Sequence, residues 1–292
     1  MTGAAPLSET PLLREVLRHA EALLREAGVD TPDLDARILM GSALGMTREH
    51  MLIHATARLN QAQVGRVLGF IARRVDREPV SRILGRREFW SLDFQLSPAT
   101  LDPRPDSETL IDEALAGIPD KKAPLSILDL GTGTGCLLLA LLSELPNAVG
   151  TGIDRSEEAV VTATANARRL GLGQRARVAV GDWGVEVNDR FDLVVSNPPY
   201  IPEAEIETLA PEVVRFDPLA ALAGGTDGLD AYRTIIAQLP NLLKSNGKVI
   251  FEVGAGQSGD VSALLASAGF GAIGTRRDLA GVERAVFGHL SG

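Results

Sequence analysis

Apolar residues return at helical spacing from the start of the chain. Leu13, Val16, Leu17, Ala20 and Leu24 form one stripe, with Thr10-Pro11 as its expected cap and first turn and Gly28 as its stop. Thr31-Pro32 repeats the start signal, and Ile38, Leu39 and Leu44 carry a second stripe to Gly45. Thr47 opens a short helix, and Asn60 a longer one through Val67, Leu68 and Ile71. The pattern changes after Pro79. Glu88 to Leu96 is aromatic and apolar without a helical stripe, which predicts a short β-hairpin. Pro103-Arg104-Pro105-Asp106-Ser107-Glu108 opens a helix with Leu110, Ile111 and Leu115 inward, and the flanking prolines hold Arg104 extended.

From Leu125 onward strand and helix patterns alternate. Strands are expected at 126–130, 149–153, 177–180, 191–196, 249–253 and 284–287, and helices at 136–142, 159–170, 232–243 and 261–268. That alternation predicts an α/β domain whose sheet is mainly parallel, with helices on both faces.

Composition narrows the class. In 292 residues, 45% are hydrophobic and 23% charged, as in an ordinary soluble protein. No apolar run is long enough to span a bilayer. Residues 1–10 lack the basic start and apolar core of a leader peptide. The single cysteine, Cys136, excludes an intrachain disulfide and fits a reducing, cytoplasmic setting. It opens a helix with no histidine nearby in sequence, so it reads as small packing. The net charge of −9 argues against a broad phosphate-binding surface. Charge is uneven, however: Arg73, Arg74, Arg77, Arg82, Arg86 and Arg87 crowd one stretch that holds only Asp76 and Glu78 in return. That stretch is either a solvated helix end or a docking surface for an acidic or RNA-bearing partner.

Candidate chemistry gathers at the ends of the expected strands. The strand at 191–196 runs into Asn197-Pro198-Pro199-Tyr200, where prolines stop the ladder. The Asn197 side-chain oxygen and the Pro198 carbonyl then offer two acceptors, which suit a planar NH2 group whose face Tyr200 covers. A plain strand-ending turn is the competing reading. The strand at 126–130 runs into Gly131-Thr132-Gly133-Thr134-Gly135, a turn that lets a ligand approach the backbone. Asp154 closes the next strand, placed to accept from ribose hydroxyls, and Asp182-Trp183 follows the third. Asp129 either meets a ligand amino group or braces the glycine turn, and Trp183 is either an adenine neighbour or a core aromatic. Alone, the glycine loop also suits a nicotinamide cofactor. With the other three strand ends it fits S-adenosyl-L-methionine, with no metal.

These residues, in this order, resemble the HemK/PrmC family, the glutamine N5-methyltransferases of peptide-chain release factors. The resemblance rests on Gly85 to Trp90, Pro103 to Asp106, Asp129 to Gly135, Asp154, Asn197 to Tyr200, Gly224 to Leu229 and Asp278 to Gly281. It departs at Arg82, where the family pattern has an aromatic. It implies an N-terminal helical bundle (1–84) that docks substrate, a β-hairpin linker (85–103), and a class I S-adenosylmethionine-dependent methyltransferase domain (104–292) with a Rossmann-like, mainly parallel sheet. The implied cofactor contacts are Gly131, Thr132, Gly133, Thr134, Gly135, Asp154, Asp182, Trp183 and Asn197. The implied substrate contacts are Asn197, Pro198, Pro199, Tyr200 and Arg104, with Asn197, Pro198 and Tyr200 catalytic. The implied reaction methylates the glutamine of the Gly-Gly-Gln loop of class 1 release factors, modulating translation termination and leaving S-adenosyl-L-homocysteine. The expected enzyme is monomeric and needs neither membrane nor nucleic acid. An amino-methyltransferase of DNA or RNA would use the same Asn-Pro-Pro-Tyr logic on a base. A nicotinamide-dependent oxidoreductase or an idle binding module on the same sheet are more distant alternatives.

Overall fold

The computed structural model describes residues 7–290, so the leader expectation falls largely on residues outside it. Within it the chain divides into two compact units. The first runs to Gly85 and also includes Pro211–Phe216. The second comprises Arg86–Ala210 and Asp217 onward.

The first unit is helical: α1 (Leu13–Glu26), α2 (Pro32–Leu44), α3 (Arg48–Ile53), α4 (Gln61–Val75) and α5 (Val80–Leu84). Leu13, Val16, Ala20, Leu24, Leu39, Met40, Val67 and Ile71 fill its core. Two expectations are corrected here. Helix α1 begins after Leu12, not Thr10, because the Pro11 carbonyl accepts from Leu59 N–H and Leu12 bridges Arg58, which keeps both residues extended. The Glu15 carboxylate caps the helix by accepting from Leu12 N–H at 2.9 Å. Ile38 is 41% exposed, since the inward face of α2 follows Ala36, Leu39 and Met40. The caps at Thr47 and Asn60 are present, the latter reciprocated by Gln63.

The second unit opens with the hairpin β1 (Arg86–Phe89) and β2 (Leu92–Gln95), paired antiparallel. Phe89 and Phe94 are buried in this unit's core beside Leu110 and Ile111, so the hairpin packs as part of the unit. Next come α6 (Glu108–Ala116), β3 (Ser126–Leu130), α7 (Cys136–Glu144), β4 (Val149–Asp154), α8 (Glu157–Arg169), β5 (Ala176–Val180) and β6 (Phe191–Ser196). The short α9 (Pro211–Phe216) belongs with the first unit. Then follow α10 (Asp230–Leu242), β7 (Leu243–Glu252), α11 (Ser258–Ser267), β8 (Phe270–Arg277) and β9 (Glu283–Leu290).

The seven-stranded sheet has the order β5-β4-β3-β6-β7-β9-β8. Its first five strands are parallel; β9 lies antiparallel between β7 and β8. Strand β8 is not among the strands expected from the sequence. Two glycines and two register shifts break its alternation, and it lies at the sheet edge, where most of its residues stay at least partly exposed. Chain order reverses between β3 and β6, which are neighbours. In open α/β sheets the crevice beyond the carboxyl ends at such a point is the ligand site.

Candidate active site

Strand β3 delivers the chain into the glycine turn. Gly131, Gly133 and Gly135 have φ of +74°, +55° and +81°, a region that side chains with a Cβ rarely occupy. The turn is tied to the next strand: Gly131 and Thr132 N–H both donate to the Ile153 carbonyl. Asp154 Oδ2 accepts from Gly133 N–H at 2.8 Å and Oδ1 from Ser156 N–H at 2.9 Å. Each carboxylate oxygen keeps a further acceptor site. Asp129 is the brace of the turn, since Thr132 Oγ1 donates to its Oδ2 at 2.6 Å. Burial pushes the Asp129 carboxyl up to about 7, against the opposing effect of that hydrogen bond.

A cavity of about 680 Å³ opens over these strand ends. Gly131 to Thr134, Asp154, Asp182, Trp183, Asn197, Pro199 and Arg104 all line it. Gly135 does not; a Cβ there would press on Leu139 and Ala163 at 3.2–3.3 Å, so this glycine serves helix packing. Gly133 turns a bare Cα to open space, with no protein atom within 4 Å of an added Cβ. Trp183 sits at φ +52° and lays its ring edge over Gly131. Cys136 also reaches the wall.

Asn197 to Tyr200 follow β6 without regular secondary structure. Asn197 and Pro199 face the cavity, whereas Pro198 is buried and Tyr200 is not on the lining. Tyr200 is instead turned inward. Its hydroxyl donates to Glu252 Oε1 at 3.4 Å, and its carbonyl accepts from Gln257 Nε2 at 2.9 Å. Burial, and then the negative Glu252, push the phenol above its ordinary range. No described residue donates a hydrogen bond to the Pro198 carbonyl. Gly228, at φ +77°, passes so close that an added Cβ would overlap the Tyr200 carbonyl, and one on Gly224 would come within 2.8 Å of the Pro199 carbonyl. The Gly224–Leu229 stretch is thus the backing of the Asn-Pro-Pro-Tyr loop.

Sequence reasoning missed several participants. Asn197 Nδ2 donates to Ser107 Oγ at 3.3 Å. Glu252, buried at the end of β7, is pushed up to about 7 by burial. An acidic residue closing an otherwise apolar strand was the available signal. Arg104 lines the cavity with its charge matched by Asp217 at 2.5 Å. Half of the arginine-rich stretch is spent on ion pairs within the first unit: Arg73 with Glu78, Arg74 with Asp35 and Glu212, Arg77 with Glu212. Among the described residues no group of three or more His, Cys, Asp or Glu is placed to hold a metal ion, and no helix is long and apolar enough to cross a membrane.

Comparison with known proteins agrees with this geometry. Residues 15–85 match the family described as PrmC N-terminal domain, and residues 121–267 match a methyltransferase domain. A release factor glutamine methyltransferase of Rhodospirillum rubrum is 48% identical over 97% of this chain and 86% of its own length. One from Bradyrhizobium diazoefficiens is 45% identical over 92% of each. Among solved structures, a methyltransferase from Pyrococcus furiosus superposes with a TM-score of 0.50 at 16% identity, covering 76% of this chain and 98% of that one, a likeness of fold alone.

Proposed function

This chain belongs to the release factor glutamine methyltransferase family, and on that premise we propose that it transfers a methyl group from S-adenosyl-L-methionine to the side-chain amide nitrogen of the glutamine in the Gly-Gly-Gln loop of class 1 release factors. One observation carries the reading. The glycine turn, the Asp154 carboxylate and Asn197 with Pro199, which come from three different strands, meet around a single cavity.

The residues present suit the donor. The bare face of Gly133 leaves room for close backbone approach. Asp154 retains acceptor capacity for a diol, while Asp182 and the Trp183 ring supply a polar edge and an apolar shelf. A cavity of about 680 Å³ lies within the usual range for small-molecule sites. When bound, S-adenosyl-L-methionine supplies an electrophilic methyl on a positively charged sulfur.

The protein's own task is to hold a poor nucleophile. An amide nitrogen shares its lone pair with its carbonyl, and no basic side chain stands in the Asn-Pro-Pro-Tyr loop to remove a proton first. Asn197 Oδ1 and the Pro198 carbonyl accept the two N–H bonds of the substrate carboxamide and fix it in one orientation. Tyr200 and Pro199 keep that loop rigid, the former through Glu252 and Gln257. Such placement is worth about 7–11 kcal/mol in good cases. The proton leaves to water after transfer, when the nitrogen has become acidic. Arg104 lines the same cavity beside Asp217, and we assign it to the substrate loop. Nucleic acid is not part of this reading, in keeping with the net charge of −9.

Mass spectrometry of the tryptic Gly-Gly-Gln peptide of a release factor, incubated with the chain and S-adenosyl-L-methionine, tests the proposal. A gain of one methyl on glutamine is expected, with none on bare RNA or DNA; methylation of nucleic acid alone would overturn it. Asn197→Ala is expected to lower kcat at least about a hundredfold, the scale of lost alignment, while donor binding partly survives. Undiminished turnover in that variant would rule Asn197 out as the residue that grips the amide.

A further inference from the structure

Two prolines leave the Asn-Pro-Pro-Tyr loop short of backbone donors. Neither Pro198 nor Pro199 has an N–H, so no ladder holds the segment between the end of β6 at Ser196 and Ile201, whose N–H donates to the Leu222 carbonyl at 3.0 Å. The prolines fix their own φ, but their ψ angles and the Tyr200 backbone stay soft. A loop that must aim a carbonyl therefore needs a tether from outside. Among the described residues one side chain donates a hydrogen bond to a carbonyl of Pro198, Pro199 or Tyr200. It is Gln257, whose Nε2 reaches the Tyr200 carbonyl at 2.9 Å.

We infer that Gln257 is a positioning residue for methyl transfer, clamping the Tyr200 carbonyl and, through it, the course of Pro198 and Pro199. The clamp stands on its own geometry; its consequence for catalysis rests on the functional reading above. The amide has one usable orientation. Its Oε1 accepts from Gly254 N–H at 3.0 Å, a group that can only donate, while the Tyr200 carbonyl can only accept. Reversing the amide would break both bonds. The holder is itself anchored. Gln257 N–H donates to the Gly254 carbonyl at 3.1 Å in the turn between β7 and α11, and the Gln257 carbonyl accepts from Val261 N–H at 3.0 Å as α11 begins. The space is cut to this side chain. A Cβ added to Gly254 would stand 2.7 Å from Gln257 Oε1 and 3.0 Å from the Tyr200 ring, and one added to Gly228 would stand 2.5 Å from Gln257 Nε2. With Ser196 held in β6 and the Tyr200 carbonyl pinned, the Pro198 carbonyl is confined between two fixed ends. A glutamate at 257 would instead set a negative oxygen against the Tyr200 carbonyl. The ionisable groups on the segments packed here are the Tyr200 phenol, Glu252 of β7, Asp260 of α11, Glu283 and Arg284 of β9, and Asp227 and Asp230 with Arg233. None of these side chains is hydrogen-bonded to the Gln257 amide.

Two readouts on the full-length chain test the clamp. The first needs no catalysis. The chain holds two tyrosines, Tyr200 and Tyr232, so labelling tyrosine with 13C at its carbonyl gives two signals, of which Tyr200 is the one lost in Tyr200→Phe. In Gln257→Met, similar in length but without the amide, the Tyr200 signal is expected to move upfield as its hydrogen bond is lost, with Tyr232 unmoved. In Gln257→Glu it is expected to lie upfield at about pH 8 and to return toward the wild-type position by about pH 6. The protonated carboxyl donates to Tyr200 and accepts from Gly254 as the amide does, and that bonding of the neutral form raises its pKa. The second readout is kinetic. Gln257→Met is expected to lower kcat about tenfold, the scale of one lost hydrogen bond, with affinity for S-adenosyl-L-methionine unchanged. The kcat of Gln257→Glu, taken relative to wild type at each pH, is expected to rise over the same descent in pH. A side chain that only fills space would leave kcat of the methionine variant unchanged and that ratio flat. An unmoved Tyr200 signal in Gln257→Met overturns the clamp, and a moved signal with kcat unchanged overturns its part in catalysis. If the methionine variant does not fold, the glutamate series decides both. If the wild type methylates no release factor, the proposed function falls, while the carbonyl signal still decides the clamp.

Discussion

The Cys136 thiol reaches the cavity wall, and burial pushes its pKa up to about 12. At neutral pH its thiolate is then too scarce to act as a nucleophile. Cys136→Ala is accordingly expected to keep kcat within about threefold, and the native thiol to alkylate with iodoacetamide far more slowly than in unfolded chain. A tenfold kcat loss in that variant would give the sulfur a part in the chemistry. Residues whose own neighbours in sequence constrain them were legible in this way. Asn197 announced itself through two prolines, and the glycine turn through its spacing. Asp129 was open between ligand contact and brace, and Asp154 was legible only as an acidic strand end, because their hydrogen bonds depend on how the turn folds back. Ser107 and Glu252 were not legible as neighbours of the Asn197–Tyr200 loop. Their place beside it depends on sheet order, which brings the end of β7 and the turn before α6 to that loop.

Elements show the same division between local and distant causes. The parallel core was legible from its alternating pattern because short apolar runs such as Leu193-Val194-Val195 and Val249-Ile250-Phe251 recur between helical stripes. Strand β8 was not, and neither was α9. A helix of six residues does not hold itself. Helix α9 is held by ion pairs: Glu212 takes Arg74 at 3.1 Å and Arg77 at 2.8 Å, and Arg215 reaches Asp76 at 2.8 Å. Three residues of the arginine-rich stretch, Arg74, Arg77 and their neighbour Asp76, thus act as a clip on a segment more than 130 positions away. The Glu212 side chain is only 18% exposed, so its two charged hydrogen bonds are worth about 1.5–3 kcal/mol each. Glu212→Ala in the full chain is expected to speed trypsin cleavage after Arg215 well ahead of cleavage elsewhere. Peptide mapping over time checks this, and an unchanged rate at Arg215 would mean that other contacts hold the helix.

At the scale of the whole molecule, two buried carboxyls set a dependence of stability on pH that runs against the usual one. Asp129 and Glu252 both lie in the second unit, and burial pushes each up to about 7 from ordinary values of 3.8 and 4.5. Between roughly pH 4.5 and 7 the folded state therefore binds more protons than the unfolded chain, and stability must fall as pH rises. The favourable contribution is complete below the unfolded pKa values and is lost as pH climbs through about 7. Carboxylates held below their usual range, Asp227 beside Arg233 among them, act in the opposite sense. Theirs is a loss confined to pH below about 4 and so outside this window. The two buried groups together are expected to cost a few kcal/mol by pH 7.5. Urea midpoints of the second unit in the unliganded chain should decline from pH 5 to pH 7.5, and Asp129→Asn with Glu252→Gln should flatten the decline. A midpoint that rises over that interval would show both carboxyls ionising in the folded state as they do in water.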